Sequence, residues 1–108
     1  MLTNFFEKTT KSFNVYCYKD KVLQNIENDT VSIIFKRTES ESDEDAVISQ
    51  NANVTNRGAE GIAEFTLSVA DTTLDPRNYY YEIKWIIQTG EVYILESSQV
   101  NILDRRYD

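Results

Sequence analysis

A chain of 108 residues has the length of one domain, enough to bury a single hydrophobic core without staples. Its net charge of −7 sets it against phosphate backbones and anionic membrane surfaces, so nucleic acid and membrane are disfavoured as partners. It has no histidine and one cysteine, Cys17. The base of a Ser-His-Asp or Cys-His catalyst, the usual zinc ligands and an intrachain disulfide are therefore missing, and the chain does not read as an enzyme or as a protein with a cofactor.

Residues 1–10 read as an N-terminal arm, MLTNFFEKTT. It lacks an apolar run long enough for a signal peptide, and no segment approaches membrane-spanning length, so the sequence reads as soluble and not exported by the usual route. Two adjacent phenylalanines cost about 1.5–3 kcal/mol each to leave in water. Phe5 and Phe6 therefore either cap the core of the domain or dock on a neighbour, and both are carried forward as candidate partner contacts.

Residues 11–105 read as the domain proper. Phe13, Val15 and Cys17 alternate with polar residues and Tyr16, as one face of a strand does. Val22, Leu23 and Ile26 are spaced as in a short helical turn, or in a loop that tucks apolar groups under a sheet. In Thr30–Arg37, Val31, Ile33 and Phe35 take the core side, and Ser32, Ile34 and Lys36 the water side. Glu39–Ala46 has five acids in eight positions. Clustered carboxylates suit Ca²⁺, but the spacing and central glycine of a calcium loop are missing, and a solvated loop is the expectation. A short strand at Ala46–Ile48 and a polar turn region at Ser49–Gly58 follow.

From Ala59 onward the alternation is clearest. Ala63, Phe65, Leu67 and Val69 form one face of a strand. Ala70–Pro76 makes a crossover in which Asp71 or Thr72 caps one helical turn near 71–75 and Pro76 prevents its continuation. In the next strand Tyr79, Tyr81, Ile83, Trp85 and Ile87 face inward, while Tyr80, Glu82, Lys84 and Ile86 face outward. Thr89-Gly90 offers a hairpin turn, after which Tyr93, Leu95, Val100 and Ile102 continue the apolar face. Residues 106–108 are a tail. The expectation is an all-β fold, an antiparallel β-sandwich of about seven strands. Its core would contain Phe13, Val15, Ile33, Phe35, Phe65, Leu67, Tyr81, Ile83, Trp85 and Leu95.

Five elements in this order carry a resemblance. They are Gly61, Ala63, Phe65 and Leu67; Asp71, Thr72, Leu74 and Pro76; Tyr79, Tyr80, Tyr81, Glu82 and Ile83; Gly90, Val92 and Leu95; and Asp104 with Arg105. Over roughly residues 29–105 the chain resembles the immunoglobulin-like domain at the N-terminus of phage baseplate upper proteins and of related small virion proteins. The resemblance implies an immunoglobulin-like sandwich in a virion, assembled in the host cytoplasm, that docks without catalysis on other virion proteins. Those partners would be major capsid or tail and baseplate components, with self-association also open. Heptads for a coiled coil are missing, so a small decoration module or adaptor is the form expected.

Ile34 and Ile86, apolar on the outward face, together with Tyr80, complete the candidate partner contacts with Phe5 and Phe6. A second class of function, binding of host-surface glycans, would use the outward tyrosines Tyr16, Tyr18, Tyr80 and Tyr107. Against it stands the ordinary cross-strand pairing of tyrosines on a sheet, about 0.2–1 kcal/mol per pair.

Overall fold

The structure, a computed structural model, describes residue 2 and residues 4–104. Among the described residues the alternating segments become nine strands: β1 (Phe5–Phe6), β2 (Lys11–Tyr16), β3 (Tyr18–Lys19), β4 (Val22–Leu23), β5 (Thr30–Lys36), β6 (Ile48–Asn51), β7 (Ile62–Leu67), β8 (Arg77–Ile86) and β9 (Val92–Leu103). The fold is all-β and packs as a sandwich. One layer is a sheet of five strands in the order β1-β9-β8-β5-β6; the other is the antiparallel pair β2-β7, with the hairpin β3-β4 beside it.

The core lies between the layers. Val31, Ile33 and Phe35 of β5 and Tyr79, Tyr81, Ile83 and Trp85 of β8 present their inward face to Ala63, Phe65 and Leu67 of β7. All of these are buried. Phe13 and Val15 of β2 and Leu95 of β9 are half-buried and pack against this cluster. Phe13 stacks on its cross-strand partner Phe65, with ring centroids 5.1 Å apart. Cys17 is fully buried, and that burial, with the nearby Asp29 carboxylate, pushes its thiol up to about 11, so it stays a neutral packing group.

The two sides of the sandwich differ. On one, the chain leaves β6 and pairs Asn53 with Glu64 of β7 through two backbone hydrogen bonds of 2.8 and 3.0 Å, closing one layer onto the other. On the other, the edges of β2 and β9 are not joined by strand pairing among the described residues. A cavity of about 200 Å³ lies there, lined by Leu2, Phe13, Asn14, Val15, Ile83, Leu95 and Glu96.

Phe5 is only 6% exposed and belongs to the core, meeting Phe35 edge-on at 6.3 Å. This corrects its reading as a partner contact. β1 pairs in parallel with β9, Phe5 opposite Ile102 and Phe6 opposite Leu103, so residues 5 and 6 are part of the main sheet and not a detached arm. A two-residue strand has no periodicity to read; its place is set by pairing with residues nearly a hundred positions away. Thr72 secures the same segment. Fully buried, it donates from its hydroxyl to the Thr9 carbonyl (2.6 Å), accepts from the Thr9 N–H (3.0 Å), and its own carbonyl accepts from the Lys8 N–H (3.1 Å).

The crossover turns two residues earlier than expected. A single-turn bond of α-helical span runs from the Thr72 N–H to the Ser68 carbonyl. The cap is Ser68, whose hydroxyl accepts from the Asp71 N–H, while Asp71 accepts from the Ser68 N–H, a reciprocal capping box. These bonds hold the Asp71 carboxyl below its ordinary value. The 3₁₀ turns lie elsewhere, at Asp43–Asp45 and Gly58–Glu60.

Val22 and Leu23 are not tucked under a sheet. Asp20 and Lys21 both take positive φ (53° and 68°), the conformation of a tight hairpin turn, and β3 and β4 form the two arms of an exposed hairpin. Gly61 seats this hairpin against β7. At φ 80°, a Cβ added there would lie 2.8 Å from the Gln24 carbonyl oxygen and 3.0 Å from the Leu23 Cβ. Gly61→Ala is expected to cost about 2–4 kcal/mol, because backbone strain and a clash with main chain coincide. A urea midpoint within experimental error of the parent would contradict that placement.

Candidate interaction surface

The strand β9 changes face part-way along. Tyr79, Tyr81 and Ile83 of β8 lie opposite Val100, Ser98 and Glu96, but the next pair is Lys84 with Ile94, so a bulge at Leu95 and Glu96 shifts the register. Val100 and Ile102 therefore face the core at one end, and Tyr93 faces it at the other. The bulge also turns the Glu96 carboxylate toward the cavity. There it accepts from the Tyr81 hydroxyl (2.8 Å), which accepts in turn from the Leu2 N–H (3.0 Å). Burial first, and the Glu96 carboxylate second, push the Tyr81 hydroxyl up to about 12.

Beyond the bulge, Val92 and Ile94 point to the outer face of the five-stranded sheet, 54% and 52% exposed. Val92 lies directly opposite Ile86, which is half-buried, so three aliphatic side chains form one patch at this end of the outer face. On the inner side, Tyr93 packs on Trp85 at 5.6 Å and remains partly exposed. The Lys19 ammonium lies 6.0 Å from the Tyr93 ring centre, which brings the β3-β4 hairpin alongside. That hairpin carries Tyr18, Val22 and Leu23, all exposed, with Val22 at 60%. Among the described residues, six of the nine large exposed apolar side chains thus belong to the hairpin and the first part of β9. A concentration of this kind suits contact with another protein.

The expected contacts do not form one surface. Ile86 belongs to the patch just described. Phe6 is exposed at the opposite end of the sheet, next to Leu103. Tyr80 is half-buried in the middle and accepts from the Gln99 side-chain amide at 3.0 Å. Ile34 is only 7% exposed, which corrects its reading as an outward contact. Across the sheet Ser32 pairs with Lys84 and Lys36 with Tyr80, so the Ile34–Glu82 pair lies between the two lysines. Asp43 binds both of them, Lys36 at 3.1 Å and Lys84 at 2.8 Å, and so carries the acidic loop across Ile34.

Two of the acids of that loop have specific partners. Asp43 holds the two lysines, and Glu41 takes the Arg37 guanidinium at 3.1 Å and the Arg37 N–H at 3.0 Å. Among the described residues no cluster of three or more potential metal-ligating side chains occurs. Lys84 first, then Lys36, hold the Asp43 carboxyl below its ordinary value. A depressed folded-state pKa contributes stability that is present above the unfolded value and is lost as pH falls through the folded one. Asp43 is half exposed, so Asp43→Asn should cost at most about 1 kcal/mol, and the cost should shrink at high salt. Thermal melts from pH 7 down to pH 3 test this: parent and variant should converge at the acid end, and a constant gap between them would contradict the assignment.

The tyrosines considered for glycan binding are dispersed. Tyr16 is exposed on the small sheet and Tyr18 on the hairpin, whereas Tyr80 lies on the outer face of the large sheet. Tyr107 lies outside the described residues, as do Arg105 and the tail at 106–108.

Val22, Leu23, Val92 and Ile94 were missed as contact residues by the sequence reading. One signal was available. Tyr93 and Leu95 are odd-numbered and Val100 and Ile102 even-numbered, and a single strand can bring both pairs to one face only through a bulge. No family model matches this chain, and a search of curated proteins finds no match.

Proposed function

We propose that this chain is a non-catalytic docking module of a phage particle, a small sandwich domain that attaches to larger virion proteins as a capsid decoration or a tail and baseplate adaptor. The observation that carries the docking reading is the group of exposed apolar side chains Tyr18, Val22, Leu23, Val92, Tyr93 and Ile94, gathered on the hairpin and on both faces of the first part of β9. Monomeric soluble proteins seldom gather large apolar side chains in this way unless something covers them. The phage setting rests on the resemblance of the strand and turn motifs between residues 29 and 105.

The experiment is to purify particles, strip them in steps and follow the chain by quantitative mass spectrometry. Release with the shell in high copy number supports decoration, and retention with the tail in a small multiple of its symmetry supports an adaptor. Absence from every sub-assembly would overturn the virion reading.

A further inference from the structure

We propose that two copies of this chain pair along the open edge of β9, antiparallel about a two-fold axis at Tyr93, joining their five-stranded sheets into one. The inference deepens the docking reading and rests on its apolar surface, not on the phage setting. Three observations select a second copy as the occupant.

The first is the state of the edge. Among the described residues β1 joins β9 at Ile102 and Leu103, the Asn4 side chain accepts from the Asn101 N–H at 3.2 Å, and no strand pairs with the stretch from Val92 to Gln99 on that side. Natural edges are guarded by lysine, proline, bulges, inward-pointing charges or a very short strand, and the bulge with the inward Glu96 guards β9 only beyond Ile94. From Glu91 to Asp104 there is no lysine, arginine or proline, and β9 is twelve residues long.

The second is hydrogen-bond phase. The Ile87 N–H donates to the Glu91 carbonyl at 2.9 Å, so residues 87 and 91 form a hydrogen-bonded pair of the hairpin. Antiparallel ladders alternate. Ile86–Val92 and Lys84–Ile94 are then the non-bonded pairs, and the N–H and C=O groups of Val92 and Ile94 point outward along the open edge. An axis at Tyr93 sets Val92 opposite Ile94 of the second copy, and Ile94 opposite its Val92, so these outward groups meet as hydrogen-bonded pairs.

The third is side-chain complementarity. In that register the Val92–Ile94 contacts extend the Ile86 patch across the axis on the outer face, and the two Tyr93 rings meet on the inner face. Glu91 lies opposite Leu95 and Glu96 opposite Gly90, so no carboxylate faces another. An axis at Ile94 instead would set Val92 against Glu96. Interfaces of this two-fold, self-complementary kind are the commonest in soluble oligomers. The exposed hairpin residues Tyr18, Val22 and Leu23 remain available on each copy for a different partner.

Sedimentation equilibrium of the full chain at low and high NaCl tests the pairing. Each copy carries −7, so screening should strengthen the dimer, and the dimer fraction should rise with salt. Ile94→Lys should weaken dimerisation by at least about tenfold while leaving the melting temperature of the monomer unchanged, since Ile94 is exposed within one copy. Val92→Lys gives an independent second variant. A parent chain that stays monomeric to about 1 mM at high salt, or variants that dimerise as well as the parent, would overturn the proposal. Failure here and failure of the docking reading are separable. A dimer that particles do not contain removes only the virion assignment, and a monomer found in particles removes only the pairing.

Discussion

Phe5→Ala should lower stability by about 3–5 kcal/mol, the range for truncating a buried aromatic residue. Phe5 is among the first residues of the sequence, where truncation is commonly tolerated, but here Leu2 and Phe5 are both buried in the core. Its ring meets Phe35 edge-on, its backbone joins β9 beside Ile102, and Leu2 packs into the same cluster. Removing residues 1–8 should accordingly prevent stable folding, since the Thr9–Thr72 bonds alone cannot refill the space that Leu2 and Phe5 leave. Phe6→Ala is the internal control. Phe6 points to water, so its loss should fall within about 0.5 kcal/mol of the parent. Chemical denaturation of the three proteins checks this. Equal midpoints for Phe5→Ala and Phe6→Ala would mean that the parallel β1–β9 pairing is wrong.

Trp85→Ala should be as severe, at about 3–5 kcal/mol. Trp85 is buried between Val31 of β5 and Tyr93 of β9, and its indole N–H donates to the Asp29 carboxylate at 2.9 Å. The other oxygen of Asp29 accepts from the Gln88 N–H at 3.1 Å, so one carboxylate ties the start of β5 to the β8–β9 turn. Truncation opens a cavity and removes a hydrogen bond from a partly buried charge. Trp85→Phe separates the two effects. It keeps most of the apolar volume, so its cost should approach that of the lost bond, about 1.5–3 kcal/mol for a bond to a charged group. The tryptophan fluorescence of the parent and urea melts of both variants provide the readout. Equal costs for Ala and Phe would show that packing at this site contributes little.

How far the sequence could be read follows from the length of its patterns. β5, β7 and β8 are long enough, at six to ten residues, for alternation to show through, and Ile33, Phe35, Phe65, Leu67, Tyr81, Ile83 and Trp85 all lie inside. Where the signal was short or interrupted, tertiary context decided. β1 has two residues, and β3 and β4 have two each, fewer than a period needs. Thr72 is a polar residue buried only because Thr9 and Lys8 pair with it. Ile34 shows a different limit. The alternation put it correctly on the outer face, but nothing in the pattern says that Asp43 will carry a loop across that face.

The contact surface was the least legible part for the same reason. Tyr93, Leu95, Val100 and Ile102 read as one continuing apolar face across the polar residues 96–99, whereas a bulge in the strand redirects the side chains on either side. That single inserted residue places Val92 and Ile94 in water and the Glu96 carboxylate against Tyr81. The surface also needs β3 and β4, which approach β9 only through the fold.

The most direct measurement is hydrogen exchange of the chain bound in its native assembly, compared with the isolated chain at a concentration too low for self-association. The account predicts added protection of the amides at residues 18–23 and 92–95, with little change across β6 and the β2–β7 sheet. Protection confined to those other elements, or none at all, would contradict it.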